Sequence, residues 1–392
     1  LAVLAGVVIA AGVVAWMIYP PALGPESGQD WMVFHAVANA WLHGDSTLAF
    51  HGNRLTALIN IRHAAWLTRP IGLHPWLYPP SFLLLLLPFG ALPFLLSWGL
   101  FQALTASLLA LALWHSGPRG GARVMLVLVA ALCPAVPFNL VLGQNAFLTA
   151  ALLVGGFALL PSAPLLGGVL FGVLTFKPQL ALLVPVALLA AGNRRALAGM
   201  ALGAAALGLA SLAVFGWTFW ARWIGLMLLP NPHLHAWLAA GRDHGVSLYA
   251  CAAVLGAGPR LANLIQWAGT AAAAAAVFLL MRGKPPATLG LAGLLIATIL
   301  AAPHAENYDM VMLGVAAGLI FCHGLVHDLR RGHIVFALLL WVCPLVNPPA
   351  MFVIGTLTPV LLASALVWLL LRAPARDRLA ASPSPGIAPI SA

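Results

Sequence analysis

Only eight carboxylates serve a chain of 392 residues with a formal net charge of +10, so an acid beside an apolar segment invites a chemical reading. Asp30 stands in Gly28-Gln29-Asp30-Trp31-Met32-Val33-Phe34-His35, just beyond the first hydrophobic stretch. A carboxylate at the boundary of water and hydrocarbon can take a proton from a hydroxyl held within hydrogen-bond reach. Trp31, Phe34, Val37, Ala38 and Trp41 recur at helical spacing, which predicts a helix over Asp30–His43 lying in a membrane interface. Asp30 then falls near the helix N-terminus, where the dipole favours negative charge. A helix cap alone would account for that placement. Gly28-Gln29 before it and Arg54, Arg62, His63 and Arg69 after it turn the reading toward a base with guanidinium groups nearby. Such groups can be solvated, bind lipid headgroups, or hold a substrate phosphate.

Lys177 is the sharpest basic signal. It interrupts Leu174-Thr175-Phe176-Lys177-Pro178-Gln179-Leu180 between two short apolar runs. A charge so close to hydrocarbon is costly and by default marks function; a snorkelling lysine at a helix end is the plainer reading. Gln144, in Leu142-Gly143-Gln144-Asn145, falls at equivalent depth on the same face, with ligand contact and structural hydrogen bonding equally open to it. The turn Pro303-His304-Ala305-Glu306-Asn307-Tyr308-Asp309 concentrates ionisable groups. His304 and Asp309 there could bind a sugar, orient a base or bind a divalent cation. No HExxH or DxD motif supports a metal, and no Walker A loop, Rossmann fingerprint or serine-hydrolase signature is present. Tyr78-Pro79-Pro80 reads as an entry turn. Four scattered cysteines, without CxxC spacing, read as small buried hydrophobes.

These residues need elements to hold them, and composition says which. Hydrophobic residues make up 62% of the chain, charged residues 7%, and the mean hydropathy is +1.01. A soluble domain carries about 25% charged residues. The expected fold is an all-α polytopic bundle, a single integral domain over 1–372 followed by a polar, disordered cytoplasmic tail over 373–392. Residues 1–19 read as a first span, not a removed leader, because Tyr19-Pro20-Pro21 comes next without a small-residue cleavage pattern; Leu1 in place of Met points to a trimmed N-terminus. The clusters Arg119/Arg123, Arg194/Arg195, Arg282/Lys284, Arg330/Arg331 and Arg372/Arg376/Arg378 are assigned to the cytoplasm by the positive-inside rule. Their parity is satisfied by about 12 spans, provided that Pro80–Pro93 is an interfacial helix and 94–115 the next crossing. The outer face then collects Glu26, Asp30, Asp45, Asp243, Glu306 and Asp309, mostly in two large loops, 20–93 and 216–259. Basic residues in short loops between spans do not form a nucleic-acid surface.

The ordered set GQDWMVFHAVANAWLHG, YPP with an apolar stretch after it, LGQNAFL, LLGGVLFGVLTFKPQL and PHAENYDMVML resembles glycosyltransferase family 87, a branch of the GT-C membrane glycosyltransferases, from about residue 15 to 325. In many relatives the late turn reads closer to Ser-Pro-x-Ser-Trp-x-His. The resemblance implies a hexosyltransferase, mannosyltransferase-like, in a bacterial inner membrane. It would use a polyprenyl-phosphate sugar as donor and a lipid or glycan as acceptor on the periplasmic side, with no cofactor. It further implies Asp30 as the base of an inverting displacement, with Lys177, Arg54, Arg62 and Arg69 on the donor phosphate. Gln144, Tyr78, His304, Tyr308 and Asp309 would contact substrate, and membrane lipids would flank the spans. A transporter or lipid flippase is the alternative; the bunching of polar residues on one face and the lack of an internal repeat count against it. A non-catalytic partner in envelope assembly is a third reading.

Overall fold

A computed structural model describes residues 27–117, 120–228, 245–346 and 356–372. The expected first span over 1–19, the 229–244 part of the second outer loop and the 373–392 tail lie outside the described residues. The helices in chain order begin with α1 (Gln29–Leu42), α2 (Gly52–Arg62), α3 (Pro80–Gly90), α4 (Phe94–Ser116), α5 (Gly121–Ala131), α6 (Ala135–Leu142), α7 (Ala146–Leu159) and α8 (Pro164–Val173). They continue with α9 (Pro178–Ala181), α10 (Val184–Ala190), α11 (Arg194–Leu228), α12 (Leu248–Val254), α13 (Pro259–Arg282), α14 (Ala287–Ala301), α15 (Val311–His327), α16 (Arg331–Val342) and α17 (Thr358–Arg372). Among the described residues the extended pairing is a single antiparallel bridge, Gly245 with Glu306.

The apolar runs within the described residues are helical. Length separates them. Among the described residues four helices are long and apolar enough to cross a membrane: α4, α11, α13 and the run Asn307–His327 that ends in α15. The pair α5–α6 makes a fifth if its 56° bend is one broken span. Pro134, which lacks an N–H, stands at that bend. The other apolar helices have 10–17 residues, short of the ~20 that a straight crossing needs. Length alone thus supports four or five spans among the described residues, and it does not confirm the total of about 12 that the charge pattern leads to for the whole chain.

Burial divides the bundle into a centre and a periphery. Leu289 to Ala301 of α14 and Val311 to Cys322 of α15 are buried without a break, so these two helices form the middle of the core. Helix α11 buries little of its apolar surface, and Leu202, Leu209 and Trp217 face outward, as hydrocarbon surroundings allow. Peripheral α11 is held to α8 by small residues. Gly168 and Gly172 of α8 face Gly199 and Gly203 of α11, and a Cβ on any of the four would press into the facing backbone, for Gly168 at Ala196 O and for Gly199 at Leu165 O. This is the small-xxx-small device that lets membrane helices approach closely.

Two features shape the end of the bundle that carries the site. Helix α1 is buried over most of its circumference, including Trp31, Met32, Val33, Phe34, Val37 and Ala38, and is packed by the protein on more sides than one apolar stripe would need. Trp31 lies on Phe101 at 4.7 Å, and Phe34 meets Tyr78 and Phe82 edge-on at 5.2 Å. Helix α11 does not stop where the second outer loop was expected. It breaks at Gly216 (φ 74°, ψ 166°), a conformation open to glycine, and runs helically to Leu228. Beyond the break Phe219 packs on Trp41 and Phe50, and the Trp223 Nε1–H donates to Leu77 O at 3.1 Å.

Candidate active site

Asp30 enters the site from the first turn of α1. Gly28 caps that helix in a left-handed conformation (φ 81°), and its N–H donates to Val141 O at 2.6 Å, tying the start of α1 to α6. Both oxygens of Asp30 are engaged: Oδ1 lies 2.6 Å from His74 Nε2, and Oδ2 accepts from Gln144 Nε2 at 3.0 Å. The Tyr78 hydroxyl donates to Gln144 Oε1 at 3.2 Å. Gln144 is positioned by its backbone. Gly143 ends α6 with φ 76°, and a Cβ there would collide with Trp31. Gln102 Nε2 donates to Gln144 O at 2.9 Å, and Asn139 donates to Gln102 while accepting from Ala146 N, at 2.8 Å each. A buried amide network thus sets the angle from which Gln144 reaches Asp30. His74 is steadied by its own N–H, which donates to Thr56 Oγ1 of α2 at 2.9 Å.

A second group lies beside the first. Lys177 sits where the chain breaks between a 3-10 turn (Leu174–Phe176) and α9. Its ammonium is 2.6 Å from Asp309 Oδ1 and 3.3 Å from Asn145 Oδ1, with the Tyr308 ring 4.9 Å away. Lys177 is 3% and Asp309 0% exposed. A buried ion pair of this kind is tolerable when both charges are also hydrogen-bonded. Asp309 has further support, because its Oδ2 accepts from Glu306 N at 3.2 Å in a reciprocal capping box that opens the turn Asn307–Met310. Asn145, next to Gln144 in sequence, links the two groups.

The other expected residues stand apart. Arg54 pairs with Asp45 at 2.8 Å and Arg62 donates to Asn39 Oδ1 at 3.1 Å, both exposed. Asn39 is nine residues along α1 from Asp30, about 14 Å at helical rise. Arg69 and His304 are exposed. Thus Asp30, Gln144, Tyr78, Lys177, Tyr308 and Asp309 converge, while Arg54 and Arg62 serve the far end of α1. Three residues that the sequence did not single out join the cluster: His74, Asn145 and Glu306. His74 lies in an irregular segment with no periodicity to reveal it. A signal existed for the other two, since Asn145 adjoins Gln144 and Glu306 is one of eight acids. Among the described residues no three His, Cys, Asp or Glu side chains converge as metal ligands.

Electrostatics couples the halves. Burial pushes the Glu306 carboxyl up to about 8; the charges of Asp309 and Asp30 push the same way and Lys177 opposes them. Like charges sharing one site cannot all ionise cheaply.

Among the described residues, an all-helical bundle with apolar outer walls around a carboxylate-bearing polar cluster marks a membrane protein. The sequence profile of glycosyltransferase family 87 matches residues 76–303, more than half of the chain, and the chain belongs to that family. It is therefore a membrane glycosyltransferase. No curated protein and no solved structure matches it significantly.

Proposed function

We propose that the protein moves a hexosyl unit, of mannosyl type, from a polyprenyl-phosphate sugar to a lipid or glycan acceptor on the periplasmic face of a bacterial inner membrane. Asp30 is the base. As the acceptor oxygen attacks the anomeric carbon, its proton passes to Asp30, and the bond from anomeric carbon to phosphate oxygen breaks with its electron pair leaving on the phosphate. One carboxylate suffices for such an inverting displacement. The observation that carries this reading is the fixing of both Asp30 oxygens by His74 and Gln144, beside a cluster that also holds a buried cation. Gln144, Tyr78 and His74 hold the carboxylate in one orientation. Lys177 supplies positive charge toward the leaving phosphate, shared with Asp309. Tyr308, Asp309 and His304 border the space for the sugar. Arg54, Arg62 and Arg69, exposed and apart from the cluster, suit lipid headgroup phosphates at the membrane boundary rather than the donor phosphate, whose oxygen is bonded to the reacting carbon. A donor that is itself membrane-bound suits a site at the end of an apolar bundle.

The test is transfer of labelled sugar from polyprenyl-phosphate hexoses by wild type and Asp30→Asn in membranes at matched expression. Loss of the base is expected to lower the rate by a factor of about 10²–10⁴. Transfer at the wild-type rate by Asp30→Asn would remove Asp30 from that role. Transmembrane flux of the lipid without sugar transfer would overturn the transferase mechanism itself.

A further inference from the structure

We propose that Trp223, on the helical arm beyond the Gly216 break, is a positioning residue of the active site: its bond to Leu77 O holds the extended segment from which Tyr78 projects. This rests on the function proposed above, in which Tyr78 acts on Asp30 through Gln144.

The segment needs an outside hold. Residues 71–79 form neither helix nor strand, so they lack the regular bonding that fixes a backbone from within. Side chains take that part. Asn60 of α2 clamps Ile71 twice, accepting from its N–H at 2.8 Å and donating to its carbonyl at 3.1 Å. Thr56 of α2 accepts from the His74 N–H at 2.9 Å. The buried Trp76 ring packs among Phe34, Tyr78 and Phe82. At the far end the Trp223 Nε1–H donates to Leu77 O at 3.1 Å, across 146 positions of sequence. His74 is thus anchored from α2 and Tyr78 from α11.

The Trp223 bond sits where it has most leverage. The Leu77 carbonyl and the Tyr78 N belong to one planar peptide unit, which ends at the Tyr78 Cα. Pro79 restricts the Tyr78 backbone from the other side. The phenol then packs on Phe34 and Phe82, and its hydroxyl donates to Gln144 Oε1 at 3.2 Å. That bond selects which way the Gln144 amide faces, with its oxygen toward Tyr78 and its Nε2 toward Asp30 Oδ2, 3.0 Å away. An amide turned over would set oxygen against carboxylate.

The arm is shaped for this reach. Phe219 and Trp223 stand four residues apart and so share a face of the helix. Phe219 rests on Trp41 and Phe50, the Arg222 guanidinium lies 5.9 Å over the Phe50 ring, and Trp220 meets Trp223 edge-on at 5.7 Å. These contacts depend on the bend at Gly216, whose φ of 74° and ψ of 166° suit glycine, although nothing lies within 4 Å of where a Cβ would stand.

Two measurements on the full-length protein test this. Hydrogen–deuterium exchange reads the hold directly. Trp223→Phe, which keeps an aromatic ring and loses the N–H, is expected to speed exchange in residues 71–79 and leave α14 and α15 as in wild type. Gly216→Ala, which meets no neighbour but disfavours the bend, is expected to do the same. Unchanged exchange of the segment in Trp223→Phe overturns the hold. Faster exchange throughout the bundle in both variants makes the role one of general stability and overturns positioning. Kinetics of sugar transfer from polyprenyl-phosphate hexoses then read the consequence. Trp223→Phe is expected to lower kcat roughly three- to tenfold, the scale of one lost hydrogen bond, with KM unchanged. In a Tyr78→Phe background the same substitution should lower kcat no further, because the route through Tyr78 is already cut. A raised KM at unchanged kcat, or losses that multiply in the double variant, overturns positioning through Tyr78. If wild type transfers no sugar, the proposed function falls, and exchange alone still decides whether Trp223 holds the segment.

Discussion

Lys177 and Asp309 show most clearly how one residue's environment governs another's value. Each is buried and each neutralises the other at 2.6 Å. Removing either partner alone strands a charge, at a cost of about 3–5 kcal/mol, whereas removing both spares most of it. In thermal unfolding in detergent, Lys177→Met and Asp309→Leu should each lower the midpoint sharply. The double variant should recover much of the loss; if it is as unstable as the worse single variant, the pair is not what holds these residues. Glu306 yields a pH prediction. Its carboxyl pKa is raised by folding, so the folded state holds the proton more tightly than the unfolded chain. The stability it contributes is therefore whole below about 4.5 and declines as pH rises through about 8. Glu306→Gln should flatten that decline in melting measurements across the same range. At this scale the sequence was partly legible. Asp30, Lys177 and Gln144 stand out because polar groups are scarce in apolar surroundings. Their partners do not: the pairing of Lys177 with Asp309 joins residues 132 positions apart, and no local pattern announces it.

Among the elements, the crossing of α8 and α11 is the tightest backbone approach described, and it gives a sharp mutational expectation. A leucine at Gly199 must displace the Leu165 carbonyl. Overpacking of this sort costs about 1–3 kcal/mol, and a rigid backbone neighbour puts Gly199→Leu at the upper end. Gly208→Leu on the same helix has open space and should be neutral in the same melting assay. Gly168 and Gly172, like Gly199 and Gly203, stand four residues apart in the sequence, the spacing that puts small residues on one face of a helix. The helical runs were also readable from the apolar stretches. Helix α11 was readable only in part. A loop is the natural reading from residue 216 onward, whereas the chain simply bends at Gly216 and stays helical. Helix α1 was expected at an interface with one apolar stripe. Its burial comes from α3 and the aromatic cluster of Phe34, Tyr78 and Phe82, which are tertiary partners that periodicity does not report.

For the whole molecule, apolar walls around a packed centre predict where lipid must touch. Trp217 is 67% exposed on α11, whereas Trp31 and Trp76 are buried. Brominated acyl chains should therefore quench part of the tryptophan fluorescence, and Trp217→Phe should reduce that quenchable part while leaving the emission of the buried indoles. An unchanged quenchable fraction would mean that this face of α11 is covered. Fold class and membrane character were legible from composition alone. The number of crossings was not, because seven apolar helices have only 10–17 residues and their path through a bilayer depends on tilt and neighbours rather than on length.

The separation of Lys177 from Asp309 also bears on biogenesis. A chain made from its N-terminus delivers α8, α9 and α10 to the bilayer with the lysine between them long before the segment carrying Asp309 has been synthesised. Until that segment arrives, an unneutralised ammonium must wait at the membrane, where charge is expensive. Nascent chains ending between the two residues should be held by the insertion machinery or handed to quality-control proteases.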